Sequence, residues 1–148
     1  MNRLARREAG ATHASDALTG DVRFCSHCAV VSSDAPQRVC ARCGLGVVLA
    51  CAPGLLTRSG MPFLVVKSDL RISAASTAVE SLLGDPQALI GQPLLDVVSG
   101  DPSLPRWIAR AAMGSHRVTS VALRKGPRRV NGRIARCGDP AAALLILE

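Results

Sequence analysis

Apolar positions change their spacing several times along the second half of this chain, and each change predicts an element. Phe63-Leu64-Val65-Val66 is a short unbroken apolar run, the pattern of a buried strand. Ser68-Asp69 turns the chain into a second strand at Arg71-Ile72-Ser73-Ala74. Ala75, Ala78, Val79, Leu82 and Leu83 then recur at helical spacing, and Gly84 stands where a left-handed cap belongs. Ser76 or Thr77 can cap its start, and Thr77-x-x-Glu80 fits the capping box, in which each side chain bonds the other's free amide. Pro86 to Ile90 predicts another short helix ending at Gly91, and Leu94 to Val98 a short apolar segment closed by Ser-Gly-Asp-Pro. Ser103 to Met113 predicts a third helix, with Leu104, Trp107, Ile108 and Ala111 on one face and Gly114 after it. Arg117 to Leu123 is β-rich, Arg129 to Cys137 alternates, and Arg124-Lys125-Gly126-Pro127-Arg128 between them reads as a hairpin turn. Ala142 to Leu147 is a final apolar strand. The order is strand, strand, three helical pieces, three strands, which is an α+β arrangement.

The first sixty residues lack this regularity. Residues 1–20 have no sustained apolar period and predict a flexible tail. Its Arg3, Arg6 and Arg7 could touch an acidic partner, but a solvated arm is the plainer reading. Residues 21–52 hold short apolar runs, Val30-Val31 and Val47-Val48-Leu49, around paired cysteines. Residues 53–61, rich in Pro and Gly, predict a linker, and residues 62–148 form the second unit.

Cys25-Ser-His-Cys28 and Cys40-Ala-Arg-Cys43 are two C-x2-C pairs separated by eleven residues. Each such turn sets two sulfurs on one side of a tight loop. Two turns brought together by a hairpin supply four thiolates at the corners of a tetrahedron, with bonds of about 2.3 Å, as structural zinc prefers. Zinc at Cys25, Cys28, Cys40 and Cys43 is the first expectation, ahead of iron and of an unliganded redox dithiol. Four thiolates close the shell to water and substrate, so the metal is expected to be structural. About thirty residues could hardly bury a core unaided, whereas zinc binding contributes on the order of 10–16 kcal/mol in comparable peptides. Gly44 after Cys43 lets the backbone fold over the metal; Ala29 holds the matching place after Cys28, so the first turn is expected to be less regular. His27, between two ligands, is expected to lie exposed on its turn. Cys51 and Cys137 stand alone, the former read as an ordinary thiol and the latter as a buried, inert one.

The run from Phe63 to Ser76, followed by Ala78-Val-Glu-Ser-Leu-Leu-Gly84 and Leu89-Ile-Gly-Gln-Pro-Leu-Leu-Asp-Val-Val98, resembles the opening of a PAS domain. The cysteine module resembles a zinc ribbon by ligands and spacing. The fold these resemblances imply is a PAS-like five-stranded antiparallel sheet with helices on one face, over residues 62–148, preceded by a small zinc ribbon. Ser76 stands where the family commonly has Asn, keeping an oxygen but losing the amide donors. The PAS resemblance implies sensing or protein interaction, with a pocket between sheet and helices as one option and a filled interior as the other. Haem is not expected, because the helix from Ser103 to Met113 has no His. Flavin is not expected either, because the reactive Asn-Cys-Arg type of motif is absent from Leu94 to Pro105. Trp107 could line a pocket, though on an apolar helical face it reads as core.

Composition narrows the function. Aromatics are limited to Phe24, Phe63 and Trp107, too few for base-stacking single-strand binders. No run reaches the roughly eighteen apolar residues of a membrane span, and no signal-peptide core is visible, so a cytoplasmic chain with reduced thiols is expected. The net charge is +7, and residues 116–148 carry seven basic against two acidic groups. Arg124, Lys125, Arg128, Arg129, Arg133 and Arg136 gather on one hairpin, suiting an acidic protein partner, nucleic-acid phosphates, or only a soluble strand edge. His13, His27 and His116 are scattered, and no nucleophile–base pair or phosphate loop is visible. The expected function is therefore a non-enzymatic regulatory or sensory adaptor that forms a homodimer or meets a protein partner through the PAS-like sheet. The alternative is a nucleic-acid-associated regulator using the ribbon and the basic hairpin, and a zinc–thiolate redox switch is a third option.

Overall fold

The computed structural model describes residues 21–32 and 38–148; the tail expected over residues 1–20 lies outside them. The cysteine-bearing segment forms β1 (Val22–Cys25), β2 (Val31–Ser32) and β3 (Val48–Cys51). The rest runs through β4 (Phe63–Val66), β5 (Ile72–Ala75) and a 3-10 turn (Thr77–Val79) into α1 (Glu80–Leu83). Then come α2 (Pro86–Leu89), α3 (Leu94–Val97), β6 (Ser99–Gly100) and α4 (Leu104–Ala112). The chain closes with β7 (Thr119–Lys125), β8 (Arg128–Cys137) and β9 (Ala142–Leu147). None of the described helices is long and apolar enough to cross a membrane.

Five strands pair antiparallel in the order β5-β4-β9-β8-β7, which is the sheet the PAS resemblance implied. The whole sheet is larger than five strands, and that expectation is corrected. β7 accompanies β8 only as far as Ile134, which leaves the end of the longer strand with a free edge. β3 takes that edge at Cys137, and β1 and β2 follow it, so among the described residues one nine-stranded sheet spans both parts of the chain. The predicted apolar segment at Leu94 is a helical turn, α3. The hairpin turn is tighter than its five-residue signal: Lys125 pairs with Arg128, leaving only Gly126-Pro127 at the tip.

Alternation along the strands assigns two apolar faces. Leu64, Val66, Ile134, Leu145 and Leu147 pack against Val79, Leu83, Leu94, Leu104 and Ile108 of the helical side, with Trp107 partly buried at its margin. The opposite face presents Phe63, Val65, Ala135, Cys137, Leu144 and Ile146, and it too is covered. Its cover is Phe24 and Ala29 from the cysteine segment together with Leu55, Leu56 and Met61. The Phe24 and Phe63 rings meet edge to face, with centroids 5.1 Å apart and planes at 82°. Residues 53–61, expected as a linker, thus bury three side chains: their Pro and Gly turn the chain while Leu55, Leu56 and Met61 anchor it.

The expected capping box is not made. Ser76 is fully buried, and its hydroxyl accepts the Phe63 N–H and donates to the Met61 carbonyl, both at 3.0 Å. The Thr77 N–H, an orphan at the start of the 3-10 turn, is taken instead by the His27 carbonyl at 2.8 Å. A backbone group of the cysteine segment therefore caps the first helical turn of the second unit.

Replacing Ser76 by Ala leaves the buried Phe63 N–H without that acceptor, at a cost of about 1–3 kcal/mol in unfolding free energy. Urea denaturation of the metal-loaded protein measures it. A midpoint unchanged from wild type would show that the hydroxyl is not what ties β4 to the turn.

Candidate metal centre

The cysteine segment folds as a hairpin whose two knuckles face one another. β1 pairs with β3 from Val22↔Cys51 to Cys25↔Val48. Ser26 continues the ladder: its N–H reaches the Val47 carbonyl at 2.9 Å, and its hydroxyl accepts the Val47 N–H at 3.0 Å. The Cys40 N–H bonds the Gly46 carbonyl at 2.9 Å and closes the second knuckle. The four sulfurs of Cys25, Cys28, Cys40 and Cys43 then lie within 4.8 Å of one another. Cys25 and Cys43 are 3.7 Å apart and Cys28 and Cys40 3.8 Å. A tetrahedron of sulfurs around an ion at ~2.3 Å has edges of about 3.8 Å, so the donor set fits a single tetrathiolate-bound metal ion.

The knuckles share one backbone plan. The Ala29 N–H returns to the Cys25 carbonyl at 3.1 Å and the Gly44 N–H to the Cys40 carbonyl at 2.9 Å. Both residues are left-handed, at φ 59° and 69°. The first knuckle is as regular as the second, contrary to expectation. Ala29 adopts a conformation that costs a non-glycine residue roughly 1–2 kcal/mol, while its methyl group is buried in the ribbon-facing core.

Backbone N–H groups point at the sulfurs. His27 and Cys28 donate to Cys25 Sγ at 3.3 and 3.4 Å, and Leu45 donates to Cys43 Sγ at 3.5 Å. The N–H groups of Leu45 and then Gly46 hold the Cys43 thiol down to about 6. The Cys43 N–H draws the Cys40 thiol downward in the same way. Burial pushes Cys25 up to about 12 and raises Cys28. The second knuckle is thus biased to thiolate by its own backbone, while burial biases the first toward the thiol. His27, expected exposed, is half-buried and serves the site through its main chain: its N–H bonds a ligand sulfur and its carbonyl caps the 3-10 turn.

Gly46 is a site residue that the sequence reading missed. A Cβ built there would overlap Cys25 Sγ and stand 2.8 Å from the His27 Cβ and N. The only hint was the Gly-Leu-Gly that follows Cys43, and Gly44 accounted for half of it.

The other expected residues are dispersed. Cys51 and Cys137 are both buried and face each other across β3 and β8. Desolvation pushes them up to about 11 and 12. The six basic residues of the hairpin divide between faces, with Arg124, Arg129 and Arg133 opposite the helices and Lys125, Arg128 and Arg136 on the helical side. The sheet face expected to receive a partner is largely covered by the chain's own residues. A cleft of about 780 Å³ stays open between the second knuckle and the sheet, with Val65, Ser73, Ala74 and Ala142 in its lining. Leu45, Val47 and Ile90 line its rim and are 76%, 50% and 44% exposed.

No protein-family model matches the chain, and no curated protein does. Among solved structures it is similar to the PAS domain of nitrogen regulation protein NR(II) from Vibrio parahaemolyticus, at 16% identity and a TM-score of 0.45 over 60% of this chain and 86% of that one. It is also similar to a domain of an HTR-like protein from Haloarcula marismortui, at 17% identity and a TM-score of 0.43 over 60% of this chain and 95% of that one.

Two outcomes follow for the metal. Gly46→Ala forces a methyl group into the Cys25 sulfur and weakens metal retention roughly tenfold or more, read by elemental analysis after dialysis against a competing chelator. Complete metal removal loosens the ribbon from the face carrying Phe63, Val65, Leu144 and Ile146, so binding of an apolar fluorescent dye rises. A chelated protein that binds no dye would show that this face stays covered without metal.

Proposed function

We propose that this chain is a non-enzymatic regulatory or sensory adaptor, held together by one structural zinc ion at Cys25, Cys28, Cys40 and Cys43 and acting through protein interaction in a reducing compartment. Four thiolates leave no coordination position for water or substrate, which supports a structural metal. The observation that carries the interaction reading is the apolar rim of the open cleft. Leu45 stands at the tip of the second knuckle, and Val47 and Ile90 flank the same opening. Val39, 55% exposed, is bridged to Val47 beside it. Exposed apolar side chains gathered around one depression mark an interaction site rather than scattered surface. A second copy of the chain is the first partner to test, meeting the strip of sheet that the ribbon leaves uncovered. The nucleic-acid alternative would need one continuous basic face, and the register does not favour it.

Sedimentation equilibrium of the zinc-loaded chain tests the reading. The expected result is a mass that rises with concentration in the wild type and stays monomeric in Leu45→Glu, with zinc content equal in both. A wild type that sediments as a monomer throughout would remove self-association as the mode of action.

A further inference from the structure

We propose that Cys51 and Cys137 form a latent cross-link site, which a hydroperoxide converts to a disulfide fastening β3 to β8. The two residues are direct partners in the only strand pairing that joins the ribbon to the PAS-like sheet among the described residues. The Gly138 N–H reaches the Ala50 carbonyl at 2.9 Å, and this bond runs from the residue after Cys137 to the residue before Cys51. Such a bond identifies the Cys51–Cys137 pair as a non-hydrogen-bonded one, the closer kind in an antiparallel ladder, with Cα atoms about 4.5 Å apart. Disulfides span Cα separations of roughly 4.4–6.8 Å, so closure requires side-chain rotation and little backbone movement. Both side chains belong to the ribbon-facing core, on the same side of the sheet. The other four cysteines are gathered in the metal cluster and leave these two as each other's partner.

Both thiols are buried; the open cleft borders Cys137 and is the path by which a small hydroperoxide reaches it. The Cys137 sulfur attacks one peroxide oxygen; the O–O bond breaks, an S–O bond forms, and the other oxygen leaves as water carrying the thiol proton. The Cys51 sulfur then attacks the Cys137 sulfenic acid; the S–S bond forms, the S–O bond breaks, and a second water leaves with the Cys51 proton. Two thiols lose two electrons in all, and hydrogen peroxide is reduced to two waters. Burial keeps both groups protonated, with Asp21 adding to the rise at Cys51 and Cys51 adding to the rise at Cys137 against the opposing Arg136, so the reaction is slow beside that of an exposed thiolate. The product changes no surface group. It makes the attachment of the ribbon independent of the metal.

The test uses the zinc-loaded full chain treated with hydrogen peroxide, quenched by alkylation and mapped by mass spectrometry under non-reducing conditions. The expected product is a single linked peptide pair containing Cys51 and Cys137, with Cys25, Cys28, Cys40 and Cys43 unlinked and zinc retained. Hydrogen exchange supplies the second readout: after chelation, the Gly138 amide of the oxidised chain exchanges at least tenfold more slowly than that of the reduced chain. In Cys51→Ser, a sulfenic-acid trap labels Cys137. A link from either residue to a metal-cluster cysteine, release of zinc before any Cys51–Cys137 bond appears, or no such bond at all overturns the proposal. Because the map is read on the wild-type chain, its failure leaves the interaction reading standing, and a monomeric chain leaves the cross-link standing.

Discussion

A sheet that is apolar on both faces needs cover on both, and β9 is the strand that imposes this. Ala143, Leu145 and Leu147 point to the helices, while Leu144 and Ile146 point the other way, and all five are buried. Phe63 and Val65 of β4 add to the second face. Leaving a large aliphatic or aromatic side chain in water forfeits about 1.5–3 kcal/mol each, and folded domains hold only ~5–15 kcal/mol in reserve. The helical side is covered by elements that follow directly in sequence. The other side is covered by the ribbon and by residues 53–61, so the cysteine-bearing segment is part of the sheet's packing rather than an attachment to it.

That dependence runs in both directions through a few backbone groups. The ribbon alone offers little apolar area; Phe24, Ala29 and Cys51 are its contribution to the core it shares with the sheet. Its polar ties are equally specific. Gly60 donates to the Ala29 carbonyl at 3.0 Å, and the Ser59 hydroxyl accepts the Val31 N–H at 2.9 Å. Between the first two ligands, His27 gives its N–H to the Cys25 sulfur and its carbonyl to the Thr77 N–H. The sulfur cluster and the first helical turn of the PAS-like unit are therefore one residue apart in hydrogen-bonded terms. Losing the knuckle geometry would return an orphan donor to the start of that turn.

Much of this was legible in the chain before folding. The five strands of the PAS-like sheet came from local patterns that tertiary packing did not override, and the four sulfurs from spacing that few other structures require. The two-sided burial left a local sign, since Phe63-Leu64-Val65-Val66 and Ala142 to Leu147 do not alternate, but the expected fold placed helices on one face only and a partner on the sheet. What misled was the Pro and Gly of residues 53–61. They mark turns correctly but say nothing about whether Leu55 and Leu56 between them are anchored. The rest was invisible for a physical reason. The overlap a Cβ at Gly46 would make with the Cys25 sulfur, the pairing of Cys51 with Cys137, and the His27 cap on Thr77 all join residues that no local period connects.

Charge on the β7–β8 hairpin shows how register changes the meaning of a sequence cluster. Six cations within thirteen residues read as one patch, yet alternation places three on each face. Arg133 is engaged by Glu148 at 2.6 Å and by the Leu55 carbonyl at 3.1 Å, and so helps hold residues 53–61 in place. Arg128 reaches the Ser81 carbonyl at 3.0 Å, tying the hairpin to α1. Arg136 lies with its Nε buried. What remains is Arg124 directly opposite Arg129, a like-charged cross-strand pair that opposes the hairpin slightly, with Lys125 at the tip. Beyond its short pairing with β6, β7 is the outer strand of that end of the sheet. Arg124 lies within the stretch that β6 covers and Arg129 on β8, so Lys125 is the cation on the open edge of β7, where it resists the edge-to-edge pairing that an apolar strand edge would invite. The positive charge of the hairpin thus goes mainly to internal ties, through Arg128 and Arg133, rather than to one continuous basic face.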